Sequence, residues 1–149
     1  VSMGEFDFVR RLMEEEGDIH FWRMKIRPGS PPLFGTWSST PLFGLPGNPV
    51  SSHVVFRMLV APYLRHALGS DGPKEWTVRA KLCDPVKSTK DCVTLRRVTL
   101  VSTDEGMMAH QPRHQGSGNI ESLASAHGLT LLQPGQSGDV GEWIDVLVL

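Results

Sequence analysis

The hydrophobic positions follow two different periods along the chain. In the front half Phe8, Val9, Leu12 and Met13 recur at helical spacing. Ser2-Met3-Gly4-Glu5 ahead of them has the spacing of a capping box, and Gly17 suits a C-terminal cap. Ile19 to Ile26, with Phe21, Trp22 and Met24, is apolar on both faces and predicts a strand buried on both sides. Leu42 to Leu45 predicts a short apolar strand. Pro49 to Leu68 predicts a long helix with Val50, Val54, Val55, Met58 and Leu59 on one face. Pro62 is expected to kink that helix and Gly69 to end it. Helix, strand, loop, strand, helix is the order of the tail of an α/β domain with a parallel sheet.

Ser70-Asp71-Gly72-Pro73 is the strongest break, and beyond it the period becomes two. Trp76, Val78, Ala80 and Leu82 alternate, as do Val93, Leu95 and Arg97, and then Trp143, Asp145, Leu147 and Leu149. Turn residues at Asp84-Pro85, Asp104-Glu105-Gly106 and Gln133-Pro134-Gly135 separate these runs, so a small barrel or sandwich is expected. Ile120, Leu123, Ala124 and His127 interrupt with one helical face after Asn119, and Gly128 is the expected cap. The predicted division is therefore an α/β part over 1–69 and an all-β part over 70–149.

Composition narrows the function. The chain has 149 residues, 40% hydrophobic, with a formal net charge of −1. No basic stripe with interleaved aromatics marks a nucleic-acid binder. The longest apolar stretch, Val54 to Leu59, is broken by Arg57 and too short to span a bilayer. The polar, acidic start does not read as a signal peptide. Cys83 and Cys92 have no CxxC partner, which disfavours zinc and fits reduced thiols in a cytoplasm. The chain opens on Val1-Ser2-Met3-Gly4, without an initiator methionine and almost at once in a helical pattern, so it reads as a piece of something longer.

The strongest chemical signal is Leu45-Pro46-Gly47-Asn48-Pro49-Val50-Ser51-Ser52. Asn48 is a good N-cap, Pro49 suits the first helical position, and Gly47 allows close approach of backbone to a ligand. Helix dipole, unpaired amides and the Ser51 hydroxyl converge there, and an oxyanion is the natural guest. An ordinary capped helix has the same local pattern. Three further loops place polar groups beside glycine. Asp7 follows the Ser2–Gly4 turn and could hold Mg²⁺ with water and phosphate, or simply complement a helix dipole. Arg27-Pro28-Gly29-Ser30-Pro31 puts a guanidinium on a stiff loop suited to phosphate, or to solvent. His114-Gln115-Gly116-Ser117-Gly118 has the makings of an oxyanion nest, or of a strand-to-helix turn. His110 and His114 are separated by Pro112, which argues against a zinc pair.

These segments together resemble the C-terminal portion of the molybdopterin molybdenumtransferase family, which includes the E domain of gephyrin. Val1 to Asp7 resembles the end of its Gly-Gly-Val-Ser-x-Gly-x-x-Asp motif, and Ile26 to Pro31 its Lys-Pro-Gly-Lys-Pro loop. Gly44 to Ser51 matches its Gly-Leu-Pro-Gly-Asn-Pro-Val-Ser signature, and His114 to Ser117 with Ser122 to Gly128 resembles its Gln-Gly-Ser and Ser-x-x-x-Ala-x-Gly stretch. The resemblance implies the C-terminal part of a mononucleotide-binding-type α/β domain followed by a small β-barrel domain. It implies Mg²⁺-dependent hydrolysis of adenylylated molybdopterin with insertion of molybdate, by a cytoplasmic homodimer. It places Ser2 and Asp7 near the pterin phosphate and metal. Arg27 and Ser30 stand where the family has lysines, so one charge is kept and one is lost. Pro31, Gly47, Asn48 and Ser51 line the pocket, and Arg97 (Arg96 in an alternative alignment) and Ser117 complete it from the last domain. The rival expectation is a non-catalytic scaffold that binds peptides as gephyrin does.

Overall fold

The computed structural model describes residues 7–72, 74–112, 115–116 and 118–149. The capping-box residues Ser2 to Glu5 lie outside them. The chain forms two compact units, one of residues 1–24 and 29–72, the other of residues 25–28 and 73–149. Lys25–Pro28 clusters with the second unit.

In the first unit α1 (Phe8–Glu16) starts at Asp7, whose carboxylate accepts the Arg10 amide at 3.2 Å. Only Met13 of the expected apolar face is buried there, and Phe8 is 72% exposed. Strands β1 (Asp18–Trp22), β3 (Leu33–Trp37) and β4 (Thr40–Gly44) form a sheet in the order β1-β3-β4, with both pairs antiparallel. β2 (Ile26–Arg27) lies between β1 and β3 in sequence and belongs to the second unit. The expected parallel sheet is therefore not what this segment builds. Parallel neighbours need a crossover of a dozen residues or more. Here β3 and β4 are joined by Ser38 and Ser39, both at positive φ (47° and 65°), the geometry of a tight hairpin turn. β1 is also half exposed rather than buried on both faces.

One face of this sheet receives α1. A Cβ on Gly35 would lie 2.4 Å from the Asp18 carbonyl and 2.7 Å from the Met13 methyl, so only glycine lets the strands and helix approach this closely. The opposite face carries Phe34, whose ring stacks on Phe43 (4.7 Å between centroids), Phe21 (5.7 Å) and Tyr63 (5.8 Å).

The helix that follows is α2 (Pro49–Val55), a π turn over Phe56–Val60, and α3 (Ala61–Ala67). Val50, Val54, Val55 and Val60 are its buried apolar positions. The Pro62 ring crowds the carbonyl four residues back. The wider π turn just before it, closed by the Ala61 amide on the Phe56 carbonyl, absorbs the misfit. Gly69 ends the helix at φ +58°, with its amide on His66 and the Ser70 amide on Arg65. This is the paired closure of a Schellman cap.

The second unit is a closed barrel in the order β10-β12-β5-β9-β8. Its strands are β5 (Thr77–Leu82), β8 (Arg97–Thr103), β9 (Gly106–His110), β10 (Gly128–Thr130) and β12 (Trp143–Val148). Ala80, Leu82, Val86, Val98, Ala109, Leu132, Ile144 and Val146 fill it. In β12 the sequence alternation has the wrong phase: Ile144 and Val146 point inward, and Trp143 is 43% exposed. β6 (Val86–Lys87) pairs with β11 (Ser137–Gly138), and β7 (Val93–Thr94) pairs in parallel with β2. α4 (Ile120–Ala124) is capped by the Asn119 side chain and ends before His127. Gly128 is not its cap. It lies buried in β10, where a Cβ would sit 2.4 Å from Val146 and 2.9 Å from the Leu147 carbonyl.

Candidate functional site

In the second unit the candidate residues gather around the start of β8. β2 and β7 run side by side, Arg27 opposite Thr94, and the Arg27 carbonyl accepts the Leu95 amide at 2.8 Å. Two residues further on, Arg97 turns its side chain inward, and the residue is 1% exposed. Arg27 itself is exposed and precedes a cis peptide to Pro28. Both arginines therefore belong to one unit, on β2 and β8, although 69 positions of sequence lie between Arg27 and Arg97.

Arg97 is held by the loop that precedes α4. Its Nη2 donates to the Gly116 carbonyl at 3.1 Å. Its backbone N–H donates to Gln115 Oε1 at 3.1 Å, and its carbonyl accepts from Gln115 Nε2 at 2.9 Å. The Gln115 amide thus makes the same paired bonds that a neighbouring strand would make. Burial first, and then the neighbouring Arg96 charge, lower the Arg97 guanidinium from its ordinary value. An arginine still carries its charge at neutral pH. A cation withdrawn from water attracts an anion more strongly than a solvated one does. Arg96, the alternative in the sequence alignment, points elsewhere and donates to the Lys87 carbonyl at 3.2 Å. An added Cβ on Gly116 or Gly118 would meet nothing within 4 Å, so this loop is open to an approaching group. Ser117 lies outside the described residues.

In the first unit the residues expected to meet an anion lie at the start of α2. Asn48 stands at the N-cap position with extended backbone, and Pro49 opens the helix. The expected side-chain cap is absent: Asn48 makes no capping bond to the first-turn amides. The turn is closed instead by the Ser52 hydroxyl, which donates to the Pro46 carbonyl, and by the Ser52 amide on the Asn48 carbonyl at 2.9 Å. Gly47 is exposed, and a Cβ there would meet nothing within 4 Å. Ser51 is buried at 5% exposure. The Ser30 carbonyl accepts the Met24 amide at 2.8 Å, and the Pro32 carbonyl accepts the Arg23 amide at 2.9 Å, which draws together the base of the loop that carries Pro31.

Asp7 is 8% exposed and serves as the N-cap of α1. Among the described residues no group of three or more His, Cys, Asp or Glu side chains could hold a metal. A lone capping carboxylate fits only Mg²⁺ that keeps most of its water and takes phosphate oxygens as further ligands. Ser2 lies outside the described residues.

Gln115, which holds the Arg97 backbone, was not among the site residues expected from the sequence. It was visible as part of a glycine loop, but its partner is 18 positions away, and no local pattern shows such a pairing.

Residues 1–66 match the family described as "Probable molybdopterin binding domain", and residues 79–149 match "MoeA C-terminal region (domain IV)". A molybdopterin molybdenumtransferase of Bacillus subtilis is 30% identical over the whole chain, which spans 35% of that protein. One from Haemophilus influenzae is 42% identical over 51% of the chain and 18% of its own length. The crystal structure of a molybdopterin biosynthesis MoeA protein from a Pyrococcus species superposes with a TM-score of 0.79 at 33% identity, covering 95% of this chain and 34% of that one. The chain spans about a third or less of these relatives. With both domains matched in order, the chain belongs to the molybdopterin molybdenumtransferase family, whose members act in molybdenum cofactor biosynthesis.

Proposed function

We propose that the protein carrying this chain inserts molybdenum into molybdopterin, with molybdate and adenylylated molybdopterin as substrates. One observation supports this most: Arg97, a cation buried in the barrel unit, bonded to a glycine loop with open space at Gly116 and Gly118. A tetrahedral dianion suits a fixed guanidinium, which offers several donors in one plane. Arg97 and Ser117 then hold molybdate from the barrel unit, and Arg27, on β2 of the same unit, adds a second charge. Ser51, Ser30, Pro31, Gly47 and Asn48 are assigned to the pterin substrate and the oxyanion in the first unit, where helix-start amides favour negative charge.

The roles are electrostatic: the residues bind and orient charged groups and neutralise charge that develops at the reacting oxygens. Asp7 and Ser2 are assigned to the pterin phosphate. Mg²⁺, when bound, would be held by Asp7 and substrate oxygens and would polarise that phosphate. The reading also takes the protein to be a cytoplasmic homodimer, as the family resemblance implies. Among the described residues no helix is long and apolar enough to cross a membrane.

The test is complementation. Cells lacking their own molybdopterin molybdenumtransferase regain molybdoenzyme activity when given the natural protein that carries this chain. An Arg97→Ala version restores none at ordinary molybdate. Failure of the unaltered protein, expressed and folded, would contradict the reading and point to a scaffold.

A further inference from the structure

We propose that Gln115 is a positioning residue for Arg97: its side-chain amide sets the direction of the guanidinium and fixes the glycine loop beside it. The inference rests on reading Arg97 as the cation that binds the oxyanion.

Arg97 is paired with Leu129 of β10, but β9 pairs with β8 only from Thr99 onward, opposite His110, so Arg97 lies beyond the end of that ladder. Gln115 supplies the partner there. Oε1 accepts the Arg97 amide at 3.1 Å, and Nε2 donates to the Arg97 carbonyl at 2.9 Å and, more weakly, to Pro112 at 3.4 Å. These bonds fix both peptide groups of Arg97, and with them the direction of its Cα–Cβ bond. The side chain then returns the contact, with Nη2 on the Gly116 carbonyl at 3.1 Å. Residues 97, 115 and 116 therefore form a closed loop of bonds, in which shifting one member shifts the others. The loop carries Gly116 and Gly118, at which a Cβ would meet nothing within 4 Å. Gln115 thus links the closed barrel to the loop of Gly116 and Gly118. Ionised glutamate would lack the donor, and asparagine is one methylene shorter.

The test uses the natural protein in two arms. In the first, ¹⁵N-arginine labelling reads the side-chain Nε–H signal of Arg97, assigned by its loss in Arg97→Lys. The unaltered protein shows a resolved signal that exchanges slowly with water. In Gln115→Ala, and in Gln115→Met, which keeps the shape without the bonds, that signal moves into the envelope of exposed arginines. An unmoved signal in both overturns the proposal. Loss of the whole fold in both also overturns it, because Gln115 would then serve folding alone.

The second arm titrates inorganic molybdate. Partners that orient a binding group are worth about 10- to 100-fold in comparable metal sites, and a loss of about tenfold is expected for Gln115→Ala. In the Arg97→Lys background the same change costs less than about twofold, because coupled residues are not additive. Full additivity overturns the proposal. If the unaltered protein binds no molybdate, the proposed function fails, while the arginine signal still decides the role of Gln115.

Discussion

The two units make their candidate binding elements in contrasting ways. At the start of α2 the element is backbone: a glycine, an N-cap position, a proline and a hydroxyl within one short stretch, closed by bonds from Ser52 to residues four and six positions back. At the start of β8 it is a side chain, Arg97, held by partners 18 and 19 positions away. The first element is set by the local chain. The second exists only once the barrel has closed and the Gln115 loop has docked on it. An element of the second kind depends on the stability of its unit, and one of the first kind depends mainly on its own turn.

The largest expected effect follows from that dependence. Leu82→Ala empties a buried position in the barrel core and should cost about 2–5 kcal/mol, seen as a lower urea midpoint. Hydrogen exchange should then speed up at barrel amides, including the Arg97 amide, and stay unchanged at Ser52. Equal acceleration at both sites would break the contrast between the units.

Gly128→Ala is expected to destabilise the barrel through overpacking by about 1–3 kcal/mol, since the new methyl meets Val146 and the Leu147 carbonyl. Thermal unfolding measures this, and an unchanged midpoint would contradict the assignment of Gly128 to β10.

Asp7 separates cap from metal ligand. Asp7→Ala should cost about 1 kcal/mol of α1 stability, while Asp7→Asn keeps the cap and loses only a few tenths. If Asp7 also serves Mg²⁺, Asp7→Asn raises the Mg²⁺ concentration that half-maximal activity of the natural protein requires, with helix content intact. Equal Mg²⁺ dependence in Asp7→Asn confines the residue to capping.

The smallest effect concerns pH. The Arg97 value is lowered by burial, so the folded state releases this proton more readily than the unfolded chain. Stability from this group therefore rises with pH only between its lowered value and the unfolded one, far above neutrality. Molybdate binding between about pH 6 and 9 should show no titration from Arg97, because the guanidinium stays charged there. A fall in affinity across that range that disappears in Arg97→Lys would contradict this.

The same contrast decides what could be read from the sequence. The helix start at Asn48 and Pro49 and the cap at Gly69 were legible because each depends on residues within one turn of the chain. The alternation of Ala80 and Leu82 gave the inward face of β5, since burial on one side imposes period two. The phase of β12 was misread because its exposed positions include Trp143, and a large apolar residue suggests burial that it does not have. The parallel sheet was a wrong inference from element order, since the two-residue Ser38-Ser39 turn admits only a hairpin. The capping bond of Asn48 was expected from residue type, and the Ser52 hydroxyl closed that turn instead. The pairing of Arg27 with β7, and of Gln115 with Arg97, needed the fold, because nothing in either segment names its distant partner.

The central claim is that Arg97 is the oxyanion-binding cation of the barrel unit. Calorimetric titration of inorganic molybdate into the natural protein tests it most directly, with Arg97→Ala and Arg96→Ala beside it. Saturable binding should weaken by about 10- to 100-fold in Arg97→Ala, the worth of hydrogen bonds to a charged group, and stay within about twofold in Arg96→Ala. Unchanged affinity in Arg97→Ala, or a loss confined to Arg96→Ala, would contradict the account.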